Sequence, residues 1–234
     1  MTGQPGVIWD FDATLAERPG LWSGCMIEVL DAEDPGHRLT RQDLAAHTGT
    51  GFPWHAPQHP HPELCEPREW WAAITRLLAG VYQRVGYPPE RADRLAAGVR
   101  ERYCSTGWRV LPGAHEALRR VREARYRQVI LSNHTPELPD IVARLGLGGY
   151  FDAVLTSART GFEKPHDEAY RIARDALEPC SELWMVGDSV RADVHGPERH
   201  GIRAVLVRDE PPAEPVGRHA WSLASAAEYV LAGA

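Results

Sequence analysis

The sequence predicts an α/β protein: a parallel sheet with helices on both faces, interrupted after its first strand by a mostly helical segment. Three observations carry this. The runs Val7-Ile8-Trp9, Val129-Ile130-Leu131, Ala153 to Thr156, Leu183 to Val186 and Ala204 to Val207 are continuous and largely apolar, as strands buried on both faces require. From Val110 onward such runs alternate with stretches of helical period, and that alternation calls for crossovers and a parallel sheet. Between residues 16 and 108 helical periodicity appears without strands. The expected organisation is a Rossmann-like core domain of residues 1–15 and 109–234, with a helical domain of residues 16–108 inserted into it.

In chain order, Val7 to Phe11 suit a buried first strand, being β-branched or aromatic around Asp10. Residues Glu17 to Pro35 mix Gly, Pro and Asp with an apolar patch at Met26, Ile27, Val29 and Leu30 and show no clean period. Thr40-Arg41-Gln42-Asp43 resembles a capping box for a short helix through His47. Gly49 to Pro62 is too rich in Pro, Gly and His for regular structure and reads as a long loop. Trp70, Trp71, Ile74, Leu77, Leu78, Val81 and Tyr82 recur at three and four, so a helix runs from Glu66 to near Gly86. A second runs from Pro89 to Tyr103. After Val110 come helices over Ala114–Ala124, Pro136–Leu145, Pro165–Leu177, Ser189–His200 and Leu223–Leu231, the third opened by a proline suited to the first turn.

Composition excludes several classes. With 234 residues, 43% apolar and 25% charged, the chain has the balance of a soluble globular protein. A net charge of -6 without clustered bases argues against a nucleic-acid surface. No apolar run is long enough to span a bilayer, and the N-terminus lacks the pattern of a signal peptide. Cys25, Cys65, Cys104 and Cys180 form no CxxC pair and read as reduced thiols. A soluble, cytoplasmic monomer or homodimer is expected, with no nucleic-acid or membrane partner. Lys164 is the only lysine; every other base is arginine, which suggests that guanidinium could not replace its compact ammonium.

Polar residues of one kind end the strands. Asp10 and Asp12 follow the first, Ser132-Asn133 the second, and Gly187-Asp188-Ser189 the fourth, while Lys164 precedes the helix after the third. Singly, each has a plain reading: Asp10 and Asp12 as turn residues, Ser132-Asn133 and Asp188 as helix caps, Lys164 as a surface base, Asp193 as a solvated carboxylate. A parallel sheet brings them to one edge, where such folds bind ligands. Carboxylates, a hydroxyl and one Lys there suit a hard divalent cation beside a phosphate.

In these residues the sequence resembles the haloacid dehalogenase superfamily of hydrolases. That family's first motif, Asp-x-Asp-x-Thr, stands here as Asp10 to Thr14, its second as Ser132 followed by Asn133, its third as Lys164, and its fourth as Gly187-Asp188 with Asp193. The resemblance spans the whole α/β portion in order, and it makes the insert a helical cap. It implies Asp10 as the nucleophile and Asp12 as general acid and base. Mg²⁺ would be held by Asp10, Asp188 and Asp12 through its main-chain carbonyl. Ser132, Asn133, Thr14 and Lys164 would hold the phosphate, with Asp193 and Ser189 in support. Ala13 departs from the family's usual Gly and is strained if the backbone there needs a positive φ.

Asp12 also points to the reaction, since halide loss needs no acid. The expected activity is Mg²⁺-dependent hydrolysis of small phosphomonoesters. A sugar-phosphate mutase is the near alternative; a dehalogenase and an inactive binding module are further ones. Phe52, Trp54 and His55 are expected on a substrate-facing cap loop, and Trp70 and Trp71 in the cap core. His55, His59, His61 and Cys65 offer a zinc reading, but their spacing matches no familiar site.

Overall fold

The computed structural model describes residues 3–233. Its strands are β1 (Gln4–Trp9), β2 (Ala16–Glu17), β3 (Arg109–Val110), β4 (Arg127–Ser132), β5 (Ala153–Thr156), β6 (Cys180–Gly187), β7 (Arg203–Val207) and β8 (His219–Ala220). Six form one parallel sheet in the order β5-β4-β1-β6-β7-β8, with β1 at its centre. Alternation along the strands divides the core. Val7, Trp9, Ile130, Trp184 and Val186 pack on one face, and Ile8, Val129, Leu131 and Met185 on the other. Burial on both faces is why the sequence shows unbroken apolar runs instead of alternation. The parallel α/β fold with helices is as the sequence predicts.

The helices are α1 (Leu21–Glu33), α2 (Arg41–Ala45), α3 (Pro67–Arg84), α4 (Pro89–Ser105), α5 (Ala114–Glu123), α6 (Leu138–Arg144), α7 (Ser157–Thr160), α8 (Asp167–Leu177), α9 (Gly196–Glu198) and α10 (Leu223–Ala232). Helices α5, α6 and α10 contribute to the first sheet face and α8 to the second. The segment from α1 to α4 builds its own cluster, with Trp22, Met26, Leu30, Trp70, Trp71, Leu78, Tyr82, Leu95 and Val99 at its centre.

Of three departures from the sequence reading, the first two have physical causes. Helix α1 is absent from that reading because residues 22–26 are all buried, so no polar face marks a period. The helix expected from Pro165 starts at Asp167, since His166 caps it by accepting from the Glu168 N–H at 3.1 Å. Beyond Ser189 the chain winds as a π-helix, Val190–His195, before α9.

The insert joins the sheet through a two-stranded antiparallel ribbon, where Ala16 pairs with Val110 and Glu17 with Arg109. Arg18 closes this junction from inside. Its guanidinium is buried, donates to the Thr106 carbonyl at 3.0 Å and pairs with Glu28 at 2.7 Å. Because Glu28 is partly exposed, the loss is that of a junction bond and not of a fully buried ion pair. Arg18→Met should therefore cost about 1–3 kcal/mol, read from the urea unfolding midpoint; an unchanged midpoint would remove Arg18 from this role.

Candidate active site

The first site residues lie just beyond β1 in a tight loop. The Phe11 carbonyl accepts from the N–H groups of Thr14, Leu15 and Ala16, and the Ala13 N–H donates to the Ala16 carbonyl. Ala13 takes a φ of 59°, the left-handed conformation in which a Cβ costs on the order of 1 kcal/mol. The loop turns Asp10 inward and leaves Asp12 half-buried, with the Thr14 hydroxyl 3.4 Å from Asp10 Oδ2.

Lys164 is the centre of the site. Its buried ammonium donates to Asp10 Oδ1 at 2.8 Å and Asp193 Oδ1 at 2.7 Å. Burial works against that charge, but the two carboxylates outweigh it and hold the ammonium protonated, above the ordinary lysine range. The second oxygen of Asp193 accepts from the Ser189 N–H at 2.9 Å. Asn133 holds the Lys164 backbone from both sides: its Oδ1 accepts from the Lys164 N–H at 2.7 Å, and its Nδ2 donates to the Lys164 carbonyl at 2.9 Å. The side chain expected to bind phosphate is thus engaged in fixing the lysine.

Asp10, Asp188 and Asp193 each present an oxygen within 4.8 Å of the others. Burial, then the charges of Asp10 and Asp193, push the Asp188 carboxyl up to about 7. Asp12 stands outside this triple. Desolvation first, then Asp10 and Asp188, raise it to about 8. Ser132 ends β4, buried on the same sheet edge, and the Ser189 hydroxyl accepts from the Ala192 N–H.

A cavity of about 380 Å³ opens over Asp12, Asn133, Lys164 and Ser189, and the insert supplies its far wall with Leu21, Trp22, Trp54, Pro57 and Tyr103. Trp22 and Tyr103 stack with centroids 4.1 Å apart. Of the three expected loop contacts, the structure places only Trp54 on the wall. Phe52 is buried behind it against Trp22 and Trp54, and exposed His55 instead accepts from the Phe52 N–H. Trp22, Tyr103 and Arg191 were not legible: the first lies in a stretch without period, and the other two have no motif.

The His-rich loop has another attachment. His61 Nε2 lies 3.0 Å from Glu163 Oε1, both side chains buried, and the His61 N–H donates to the Gly161 carbonyl. Trp71 and Arg100 reach across to Glu137. Among the described residues His55, His59, His61 and Cys65 gather no metal-ligating cluster.

With the fold and site in view, comparison with known proteins gives a consistent result. Residues 5–201 match the family model of haloacid dehalogenase-like hydrolases. The chain belongs to that family. It is 32% identical over 194 residues to haloacid dehalogenase-like hydrolase domain-containing protein 3 of Homo sapiens, covering 78% of this chain and 74% of that protein. Similarity to the ribulose-1,5-bisphosphate 5-phosphatase of Halopiger xanaduensis is 35% over 123 residues, about half of each chain (50% and 51%). The fold matches the 2-haloacid dehalogenase of Pseudomonas syringae with a TM-score of 0.67 at 20% identity, covering 99% of this chain and 100% of that one.

Two substitutions test the frame of the site. A Cβ at Gly187 would lie 2.3 Å from Asp193 Cγ, whereas one at Gly80, inside α3, would meet nothing within 4 Å. Gly187→Ala should cost about 1–3 kcal/mol by overpacking against Asp193, while Gly80→Ala should gain about 0.5–1 kcal/mol in its helix. Thermal melts of the two variants check the contrast. His61→Ala leaves the Glu163 carboxylate buried without a donor and should cost about 1–3 kcal/mol. Adding Glu163→Gln should recover part of that loss in a double-mutant cycle, and strict additivity would deny the coupling.

Proposed function

We propose that this protein is a Mg²⁺-dependent phosphatase of small phosphomonoesters. One observation carries the reading: of two neighbouring carboxyl groups, Asp10 is ion-paired to the buried lysine whereas Asp12 lines the cavity. Asp10 is paired to the Lys164 ammonium at 2.8 Å, a contact that fixes its carboxyl group in place as a nucleophile requires. Asp12 has no cationic partner among the described residues, lines the cavity, and is raised to about 8 by burial and its anionic neighbours. That suits a proton donor near neutral pH. Halide departure needs no such donor, so the pair favours an oxygen leaving group. The name of the Halopiger xanaduensis relative, a sugar bisphosphate phosphatase, points the same way.

In this reading the Asp10 carboxylate attacks phosphorus, and the bond from phosphorus to the leaving oxygen breaks as Asp12 delivers its proton to that oxygen. Asp12, now a carboxylate, takes a proton from water as the water oxygen attacks the aspartyl-phosphate and frees Asp10. Ser132 and Lys164 orient the transferring oxygens, Thr14 steadies Asp10, and Asp193, Ser189 and Asn133 keep Lys164 in place.

The donor set fits a hard divalent cation: it is oxygen-only, and the Asp188 carboxylate forms no salt bridge among the described residues, Arg208 reaching only its main-chain carbonyl. Asp10, Asp188 and the main-chain carbonyl of Asp12 would hold Mg²⁺, with the Asp193 carboxylate engaged by Lys164 and Ser189 behind them. Bound there, Mg²⁺ supplies charge neutralisation between an anionic nucleophile and an anionic ester. We assign residues 16–108 as the cap and residues 1–15 and 109–234 as the core, since the cavity is formed between them.

Phosphate release from a panel of phosphomonoesters, with Mg²⁺ and with chelator, tests the reading. Turnover should require the metal, and Asp10→Asn should abolish it. Asp12→Asn should reduce turnover of alkyl phosphates by about 10²–10⁴-fold, the usual contribution of general acid–base catalysis. Aryl phosphates, whose leaving groups need less protonation, should lose less. Equal losses for both ester types would remove Asp12 from the acid role.

A further inference from the structure

The cavity leaves one cation unaccounted for. Lys164 is matched by Asp10 and Asp193, Asn133 is engaged by the Lys164 backbone, and the Ser189 hydroxyl caps the Ala192 N–H. Arg191, on the π-helix after β6, also lines the cavity and is exposed, and its guanidinium has no hydrogen bond or ion pair among the described residues. Its position is particular. Pro57, Pro165 and Arg191 line both this cavity and an adjoining cleft that holds Gln58, His166, Asp167 and Arg199. Arg191 therefore stands where the catalytic cavity opens outward.

The carboxylate of that cleft is already occupied, since Asp167 pairs with His200 at 3.0 Å and lies 3.8 Å from Arg199. The opposite wall, Leu21, Trp22, Trp54 and Tyr103, offers a leaving group mostly carbon surface. The mouth thus combines an apolar wall with an unpaired guanidinium, on a chain whose net charge is -6. Guanidinium binds carboxylate and phosphate through two parallel N–H donors, and partial enclosure makes such a contact stronger than one in open water.

We propose that Arg191 is a specificity-determining residue, and that the substrates are small phosphomonoesters carrying a second anionic group, carboxylate or phosphate, on the leaving group. This rests on the phosphatase reading and adds the chemical class of the substrate. In binding, the ester phosphate faces Asp10 and Lys164, the carbon skeleton lies along Trp22 and Trp54, and the distal anion meets Arg191.

Two matched pairs of esters test this at a short and a longer reach: 3-phosphoglycerate against glycerol 3-phosphate, and fructose 1,6-bisphosphate against fructose 6-phosphate. For at least one pair the unsubstituted chain should favour the doubly anionic member by about tenfold or more in kcat/KM, the scale of a charge-assisted hydrogen bond. Arg191→Gln should bring that ratio close to one through KM, and Arg191→Lys should restore part of it. A merely structural role for Arg191 would lower both members alike. Absence of preference in both pairs, or a preference that survives Arg191→Gln, overturns the proposal. Should no ester be hydrolysed, the phosphatase reading itself fails. Calorimetric binding of the same pairs, without metal, to the unsubstituted and Arg191→Gln chains then decides the remaining point. Tighter binding of a doubly anionic member that depends on Arg191 supports the anion site, and equal affinities overturn it.

Discussion

The site depends on one buried ammonium. Taking Lys164 out of water costs several kcal/mol, and only the paired carboxylates of Asp10 and Asp193 make its burial tolerable. A guanidinium would spread its charge over a wider plane and require more room than two oxygens at 2.8 and 2.7 Å leave. That gives a physical reason for a single lysine among so many arginines. The same pairing sets the rest of the geometry. Asp193 reaches back to the Ser189 N–H, Gly187 must lack a side chain for Asp193 to fit, and Asn133 fixes the lysine backbone.

The charge balance of that cluster is incomplete. Asp10, Asp188 and Asp193 set three carboxylates against one ammonium, before any phosphate arrives. Burial first, and then like charges so close together, raise proton affinity here, which shows in Asp188 and Asp12, held up to about 7 and about 8. On the proposed reading a divalent cation and the proton on Asp12 resolve the excess in different ways. The cation offsets Asp10 and Asp188 at the sheet edge, and the proton remains on the one carboxyl group that faces the leaving oxygen.

Much of this was legible because the relevant signals are local or periodic. Unbroken apolar runs mark strands buried on both faces, and the polar residues that follow them must meet at one edge of a parallel sheet. Asp10, Asp12, Ser132, Lys164 and Asp188 could be placed without coordinates for that reason. What stayed hidden depends on contacts far apart in sequence. Helix α1 is enclosed on too many sides to show a period. The role of Asn133 in holding Lys164 spans 31 residues, and His61 finds Glu163 across 102. The His-rich loop looked like a metal site or a substrate loop because composition cannot show which residue a histidine will face. In the structure Trp54 and Pro57 of that loop line the cavity, and its buried histidine, His61, is tied to the residue beside the central lysine.

That tie bears on how the two parts of the cavity work together. The sheet edge contributes Asp12, Asn133, Lys164, Ser189 and Arg191, and the insert contributes an aromatic wall. On the proposed reading, chemistry and leaving-group contact reside on separate segments, joined by the ribbon of β2 and β3 and by the contacts of Trp71 and His61. On that reading, changes in the wall can alter which leaving group fits without moving Asp10 or Lys164, which are held by each other, by Asp193 and by Asn133. The exception is Glu163, adjacent to Lys164 and paired to the insert. Through it, any displacement of the insert's loop acts on the backbone that carries the lysine, so the position of the wall and the precision of the reacting groups are not independent.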